Sequence, residues 1–393
     1  MSKEKLASSL NMARGKPCVE QLDLSGEFFD ALTSKDNFVI DGVDIRNYGA
    51  LDGLESAKKL LGDIVGADKE DVIVFGNSSL NIMFDLVSKG YSHGICGSKA
   101  WCKRPKVKWL CPVPGYDRHF SIGEYFDIEM INIPMNEYGP DMDLVESLIK
   151  DESVKGIWCV PQYSNPSGIT YSDEVVKRFA NLKPAAKDFR IYWDNAYALH
   201  HLYNDKEDKL LNIIDECKKA GNPDLVYEFV STSKITFPGG GIAGLVTSSK
   251  NREDVLNSLK YQTICFDKIN QYRHVKYLED INNINALMKK HADIIRPKFE
   301  LVESIFEKDL NGIASWSKPN GGYFITLYVK GIAKEVISKC KEKGLVLTEA
   351  GCAFPYHKDP SNSVIRIAPT YPSLDELDKA AHIICESIKE CQK

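Results

Sequence analysis

The sequence predicts an α/β fold, with a large domain on a mostly parallel seven-stranded sheet and a smaller α+β domain beside it. Three observations carry this. Short β-rich runs alternate with amphipathic segments between residues 70 and 250. In the last third the pattern changes to a long helical stretch followed by separated strands. A chain of 393 residues with 43% hydrophobic content is also long enough to bury a large core.

Seven segments read as strands of the large sheet: "DVIVFG" (71–76), "KVKWLCPV" (106–113), "IEMINIPM" (128–135), "VKGIWCVPQ" (154–162), "FRIYWD" (189–194), "LVYEFVST" (225–232) and "IAGLVTSS" (242–249). Between them, "SSLNIMFDLVSKGY" and "SDEVVKRFANL" have the apolar spacing of helices. Such alternation builds a parallel sheet covered by helices, and its ligand sits at the carboxyl ends of the strands. Beyond it lie a helical stretch over 252–308, then "GGYFITLYV", a helix, "LVLTEAG" and "NSVIRIAP". We assign residues 50–280 to the large domain. Residues 281–393, completed by 1–49, form the small one.

Composition excludes several classes of function. The net charge of -5, with acids and bases interspersed, gives no footprint for nucleic acid or an anionic membrane. No apolar run approaches the roughly 20 residues of a membrane-spanning helix. The opening "MSKEKLASSLNMARGKP" lacks the apolar core of a signal peptide, so a cytoplasmic location is expected. The eleven cysteines include no C-x-x-C pair, and Cys96, Cys102 and Cys111 match no zinc spacing. Reduced thiols and no metal are expected. His200 and His201 are adjacent, so their side chains point apart, and both read as structural.

The stretch "FVSTSKITFPGGGIAG" (229–244) has two incompatible readings. Gly239, Gly241 and Gly244 fit the G-x-G-x-x-G of a dinucleotide-binding turn. That turn needs its third glycine to open a helix, and an acidic residue to end a second strand further on. Here the glycines lead into a β-type run instead. The alternative reading takes Ser231, Ser233 and Lys234 as a site that holds a phosphorylated aldehyde covalently. "WDNAY" (193–197) supports it: Asp194 at a strand end can keep a pyridine nitrogen protonated, and Tyr197 can hydrogen-bond a ring hydroxyl. "SNPSG" (164–168) places Asn165 after another strand, where its amide can donate to the same oxygen. Singly these are ordinary features, a turn and a helix cap.

In their order along the chain, "RNYGALDGL", "FGNSS", "PGYDRH", "YSNPSG", "WDNAY", "STSK", "KPNGGYFI" and "VIRIAP" resemble the class I aminotransferases of the pyridoxal-phosphate fold type I. The wording of "ARGKP", "EQLDLS" and "DFRIYWDNAYALHHL" is similar to the bacterial aspartate aminotransferases called type Ic. The resemblance implies pyridoxal 5'-phosphate as cofactor and Lys234 as the Schiff-base lysine and proton shuttle. It implies Asp194 as partner of the pyridinium, Tyr197 and Asn165 on the phenolic oxygen, and Tyr116 stacked on the ring. Asn77, Ser78 and Ser79, where a strand turns into a helix, and Ser231 and Ser233 beside the lysine would bind cofactor, with backbone N–H groups and hydroxyls on its phosphate. Arg366 would take the substrate α-carboxylate as a bidentate fork, assisted by Asn165, with Gly15 of a flap over the substrate. Tyr48 resembles the tyrosine that reaches the phosphate of a neighbouring subunit, which implies a homodimer with shared active sites.

One position departs from the pattern. Most members of the resembled class carry a phosphate-binding arginine about seven residues after the lysine, where this chain has Gly241 or Ile242. The glycines are then expected to approach the phosphate closely and offer N–H donors in its place. For a second, side-chain carboxylate on the substrate, Arg14, Lys16 and His119 are the candidates. The expected reaction exchanges the amino group of aspartate or glutamate with a 2-oxo acid in ping-pong order. The same scaffold also hosts lyases and decarboxylases, and serves as a non-catalytic domain in transcription regulators.

Overall fold

A computed structural model describes residues 10–392. Each of the seven expected strands is present. They are β1 (Val72–Val74), β2 (Lys108–Val113), β3 (Glu129–Asn136), β5 (Val154–Cys159), β6 (Arg190–Asp194), β7 (Val226–Ser231) and β8 (Ala243–Val246). A two-residue strand, β4 (Gly139–Pro140), adds an eighth at one edge. The spatial order is β1-β8-β7-β6-β5-β2-β3-β4. The central strands β7, β6, β5, β2 and β3 run parallel, whereas β8 is antiparallel to both its neighbours.

The sheet is buried on both faces, so its strands read as near-continuous apolar runs. On one face helix α1 (Glu55–Val65), helix α4 (Asp173–Ala180) and helix α5 (Ile213–Lys219) pack against Ile157, Ile191, Trp193, Val226 and Val230. On the other, helix α2 (Ser79–His93) and helix α3 (Asp117–Tyr125) cover Trp109, Trp158, Tyr192 and Phe229. Side chains alternate between faces along each strand, which places Asp194 opposite to Trp193.

A third core joins helix α6 (Ile281–Leu310) and helix α7 (Leu374–Cys391) to an antiparallel sheet containing β9 (Ile325–Tyr328) and β10 (Val364–Ile367). Met12 is buried in that core, and Leu10–Asn11 pairs in parallel with Leu345–Val346. The stretch 252–308, expected as one helical run, is three helices: Ser249–Gln262, Lys268–Leu278 and α6. The breaks have a local cause. Asp267 and Asp280 each accept hydrogen bonds from backbone N–H groups of the turn that follows, starting a new helix.

Candidate active site

The parallel strands deliver the site residues to one end of the sheet. Phe229 of β7 lies in register with Asp194, the last residue of β6. Two residues on, Ser231 ends β7, and the chain turns through Thr232 and Ser233 to Lys234. The Lys234 amine lies 4.8 Å from the centroid of the Tyr197 ring. Burial lowers the lysine pKa, and only the charge of Asp194 opposes that shift. A cleft of about 430 Å³ opens here, ample for a small cofactor with its substrate. Asn77, Ser78, Ser79, Tyr116, Asn165 and Asp194 line it, with Tyr197, Ser231, Ser233, Lys234, Gly15 and Arg366.

Asp194 is 4% exposed. Its Oδ2 is 3.2 Å from His119 Nε2, and the His119 ring stacks on Trp158 with centroids 4.6 Å apart. Its Oδ1 is buried without a partner. An unsatisfied buried carboxylate oxygen is costly, and a protonated ring nitrogen is the donor it lacks. Asn165 Oδ1 is orphaned in the same way. Burial raises the Tyr197 phenol well above its usual range and pushes Tyr116 up to about 12, so both are hydrogen-bond donors at neutral pH.

At the other end, α2 starts at Ser79 with Ser78 as N-cap, yet the Ser78 hydroxyl caps nothing. That hydroxyl and the first N–H groups of a fifteen-residue helix remain free for an anion. Ser233 Oγ donates to the Asn77 carbonyl at 3.0 Å, and Asn77 Nδ2 donates to the Pro238 carbonyl at 3.3 Å. Asn77 thus ties the loop after Lys234 to the start of α2.

Gly244 overturns the dinucleotide reading. Gly244 pairs antiparallel with Val230 and Val74 inside the sheet, so no dinucleotide turn opens there. A side chain at Gly241 would meet Thr232 Oγ1 at 3.1 Å and the Ser233 nitrogen at 3.2 Å. The Gly240 N–H donates to the Phe237 carbonyl. The loop therefore packs against the Lys234 turn, and its Pro238 lines the cleft.

Arg366, on β10, is 6% exposed. Its Nη1 donates to Asp117 Oδ1 at 2.8 Å and its Nη2 to Thr348 Oγ1 at 3.2 Å, while Nε has no partner. The segment through Gly15 crosses the cleft beside it, tied down at the Ala13 carbonyl by Thr348. A Cβ at Gly15 would lie 2.6 Å from the Phe324 ring, so only glycine fits. His119, a candidate for the substrate side-chain carboxylate, is instead buried against Asp194 and stacked on Trp158. Arg14 and Lys16 do line the mouth of the cleft, Lys16 lying 3.7 Å from the Tyr371 ring centroid. Arg118 and Asp117 line it too, and sequence reasoning passed over both, although they directly follow Tyr116.

Tyr48 lies outside the cleft and is 74% exposed. His200 Nε2 sits 3.4 Å from the Lys234 carbonyl and His201 Nδ1 2.7 Å from the Tyr163 hydroxyl, so the two rings do point apart. Among the described residues no group of side chains could hold a metal ion, and no helix is long and apolar enough to cross a membrane.

Comparison with known proteins places the fold in a family. A sequence model of the family described as aspartate amino-transferase matches residues 4–392. The chain belongs to that family. An aspartate aminotransferase of Corynebacterium glutamicum is 46% identical over 376 residues, covering 94% of this chain and 87% of that protein. The crystal structure of an aspartate transaminase from the same species superposes with a TM-score of 0.94 at 44% identity, over 97% of this chain and 90% of that one. The fold extends to an α-aminoadipate aminotransferase from Thermus thermophilus, solved with N-(5'-phosphopyridoxyl)-L-leucine. That match has a TM-score of 0.80 at 16% identity and covers 98% of this chain and 94% of that one. This member of the aspartate amino-transferase family thus has the pyridoxal-phosphate fold type I.

Proposed function

We propose that this aminotransferase uses pyridoxal 5'-phosphate to exchange the amino group of aspartate or glutamate with a 2-oxo acid. The observation that carries the reading is the unpartnered Asp194 Oδ1, buried in the same cleft as the Lys234 amine. The cofactor, when bound, supplies an aldehyde for the amine and an electron-withdrawing ring. Asp194 holds the ring nitrogen protonated, and His119 keeps that carboxylate in place. Tyr197 and Asn165 donate to the ring's phenolic oxygen. Ser78, Ser79 and the start of α2, with Ser231 and Ser233, bind the phosphate.

Arg366 orients the substrate by its α-carboxylate, leaving Cα–H facing the Lys234 amine. That amine, lowered in pKa by burial, is the base in the cleft that would take the substrate Cα proton. The first product leaves as an oxo acid before the second substrate enters. The preference for a dicarboxylic substrate is supported by Arg14 and Arg118 at the mouth of the cleft and by the name of the Corynebacterium relative. Tyr48, exposed in one chain, would reach the phosphate of a second in a homodimer. A cytoplasmic location fits the thiols, which form no disulfide among the described residues.

The test is an absorbance titration of protein reconstituted with the cofactor. Aspartate should convert the visible band to that of the aminated cofactor, and 2-oxoglutarate should restore it. A band that aspartate leaves unchanged would exclude the substrate assignment.

A further inference from the structure

Glu228 is a buried carboxyl that the reaction above does not use. It sits at mid-strand on β7 and is 3% exposed, between Val226 and Val230 of the apolar core. Its neighbours in register are Trp193 of β6 and Val246 of β8. From α1, the apolar Leu60, Leu61 and Ile64 join the same cluster, and the buried Lys58 is committed to Asp52 and Glu55. From α5 the titratable groups that bear on it are Asp215 and Cys217. Among the described residues no cation pairs with Glu228. An ionised carboxylate in such a place is uncompensated.

Its one hydrogen-bond partner is Asn195, whose Nδ2 donates to Glu228 Oε1 at 3.0 Å. Two acceptors of this pair remain buried without donors, Asn195 Oδ1 and Glu228 Oε2. A proton on Oε2 would turn that oxygen into a donor, and a carboxylic acid pairs with an amide through two bonds of this kind, so the orphaned Asn195 Oδ1 is its natural acceptor. Asn195 directly follows Asp194, and its N–H donates to the Phe229 carbonyl at 3.0 Å. Side chain and backbone thus fasten Asn195, the residue after Asp194, to β7. The Asp194–Tyr197 turn carries both the carboxylate for the ring nitrogen and the phenol for the ring oxygen.

We propose that Glu228 is held as a neutral carboxylic acid paired with Asn195, and through it acts as a positioning residue for Asp194. Burial, reinforced by Asp215, raises its pKa from 4.5 to about 7 against the pull of Asn195. The folded chain holds this proton more tightly than the unfolded chain, so the stabilisation is complete below the ordinary carboxylate range. It is lost as pH rises through about 7. The positioning half of the proposal rests on the proposed function; the protonation half does not.

The experiment measures melting of cofactor-free protein from pH 5.5 to 8.5 and the carboxylic-acid carbonyl band in the infrared, for wild type and Glu228→Gln. Glutamine keeps both hydrogen bonds and cannot ionise. Wild type should lose several degrees of melting temperature relative to the variant as pH passes about 7, and the variant should lack the acid band. Parallel melting curves with no difference in the band would overturn the neutral acid. Cofactor affinity then tests positioning: Glu228→Gln should stay within about twofold of wild type, and Glu228→Leu should lose about tenfold. Equal affinity in wild type, Glu228→Gln and Glu228→Leu would overturn the coupling to Asp194. If Glu228→Leu does not fold, Glu228→Gln alone decides, and a tenfold loss in it overturns the coupling. If wild type binds no cofactor the proposed function and the positioning role fall together, and the melting curves still decide the protonation.

Discussion

Arg366 and Asp117 form an ion pair of 2.8 Å inside the cleft, between β10 and the first residue of α3. The guanidinium that would receive the substrate α-carboxylate is therefore already facing an acid of its own chain. Thr348 holds its other arm, and Nε is free. Substrate binding has to proceed against the negative charge of Asp117, which is 25% exposed and stays near the incoming carboxylate.

Asp117→Asn should relieve that repulsion while keeping a hydrogen bond to Arg366. For a partly exposed charge the effect is about 1 kcal/mol, or about fivefold in KM. The drop in KM should be the same for amino acids with charged and uncharged side chains, because the α-carboxylate is common to all. A rise in KM would mean that Asp117 chiefly orients the arginine.

Lys234→Ala should abolish transamination and leave cofactor binding largely intact, since Asp194 and the start of α2 hold the cofactor without the covalent bond. Turnover near that of wild type, measured in a coupled oxaloacetate assay, would remove Lys234 from the reaction.

Asp194→Ala should cost several orders of magnitude in kcat by leaving the ring nitrogen without its partner. His119→Phe is the more telling variant. It preserves an aromatic ring on Trp158 and deletes only the contact to Asp194 Oδ2. Loss of a hydrogen bond to a charged group costs about 1.5–3 kcal/mol, so kcat/KM should fall roughly ten- to a hundredfold. An unchanged rate would show that Asp194 needs no support from His119.

Gly15→Ala should weaken substrate binding without affecting the cofactor. The added methyl would lie 2.6 Å from the Phe324 ring, so the segment over the cleft must lift. Such overpacking costs about 1–3 kcal/mol. Equal loss of cofactor and substrate affinity would point to general unfolding instead.

What could be read from the sequence was local in the chain. Asp194 ends an apolar run, and Ser231 and Lys234 follow another, so residue type and strand position together exposed them. The partners of these residues could not be read the same way. His119 is 75 positions from Asp194, and Asp117 is 249 from Arg366. Only the sheet order and the packing of α3 against its end bring them together. Within "PGYDRH", His119 looked as free for substrate as its neighbours, because nothing in a sequence tells which side of a short helix faces Trp158. Glu228 was hidden for a similar reason: one acid in a β-rich run reads as a solvent-facing position until a second layer covers it. The three helices of 249–310 merged into one because Asp267 and Asp280 break the apolar periodicity no more than any surface acid does.

The Tyr48 ring is 74% exposed, at the turn before α1, and does not line the cleft of its own chain. Phe29 at 64%, Tyr261 at 86% and Ile264 at 61% are also large apolar side chains open to solvent. If a second copy brings Tyr48 to the phosphate, cofactor and dimer stabilise each other by mass action. Tyr48→Phe should then weaken cofactor retention by at most about 1.5–3 kcal/mol, the value of one charged hydrogen bond, and raise the dimer dissociation constant only when cofactor is present. Tyr116→Ala should weaken cofactor binding by loss of stacking and leave dimerisation of the cofactor-free protein unchanged. Sedimentation of both variants with and without cofactor separates the two effects. A loaded enzyme that is fully active as a monomer would remove Tyr48 from the site.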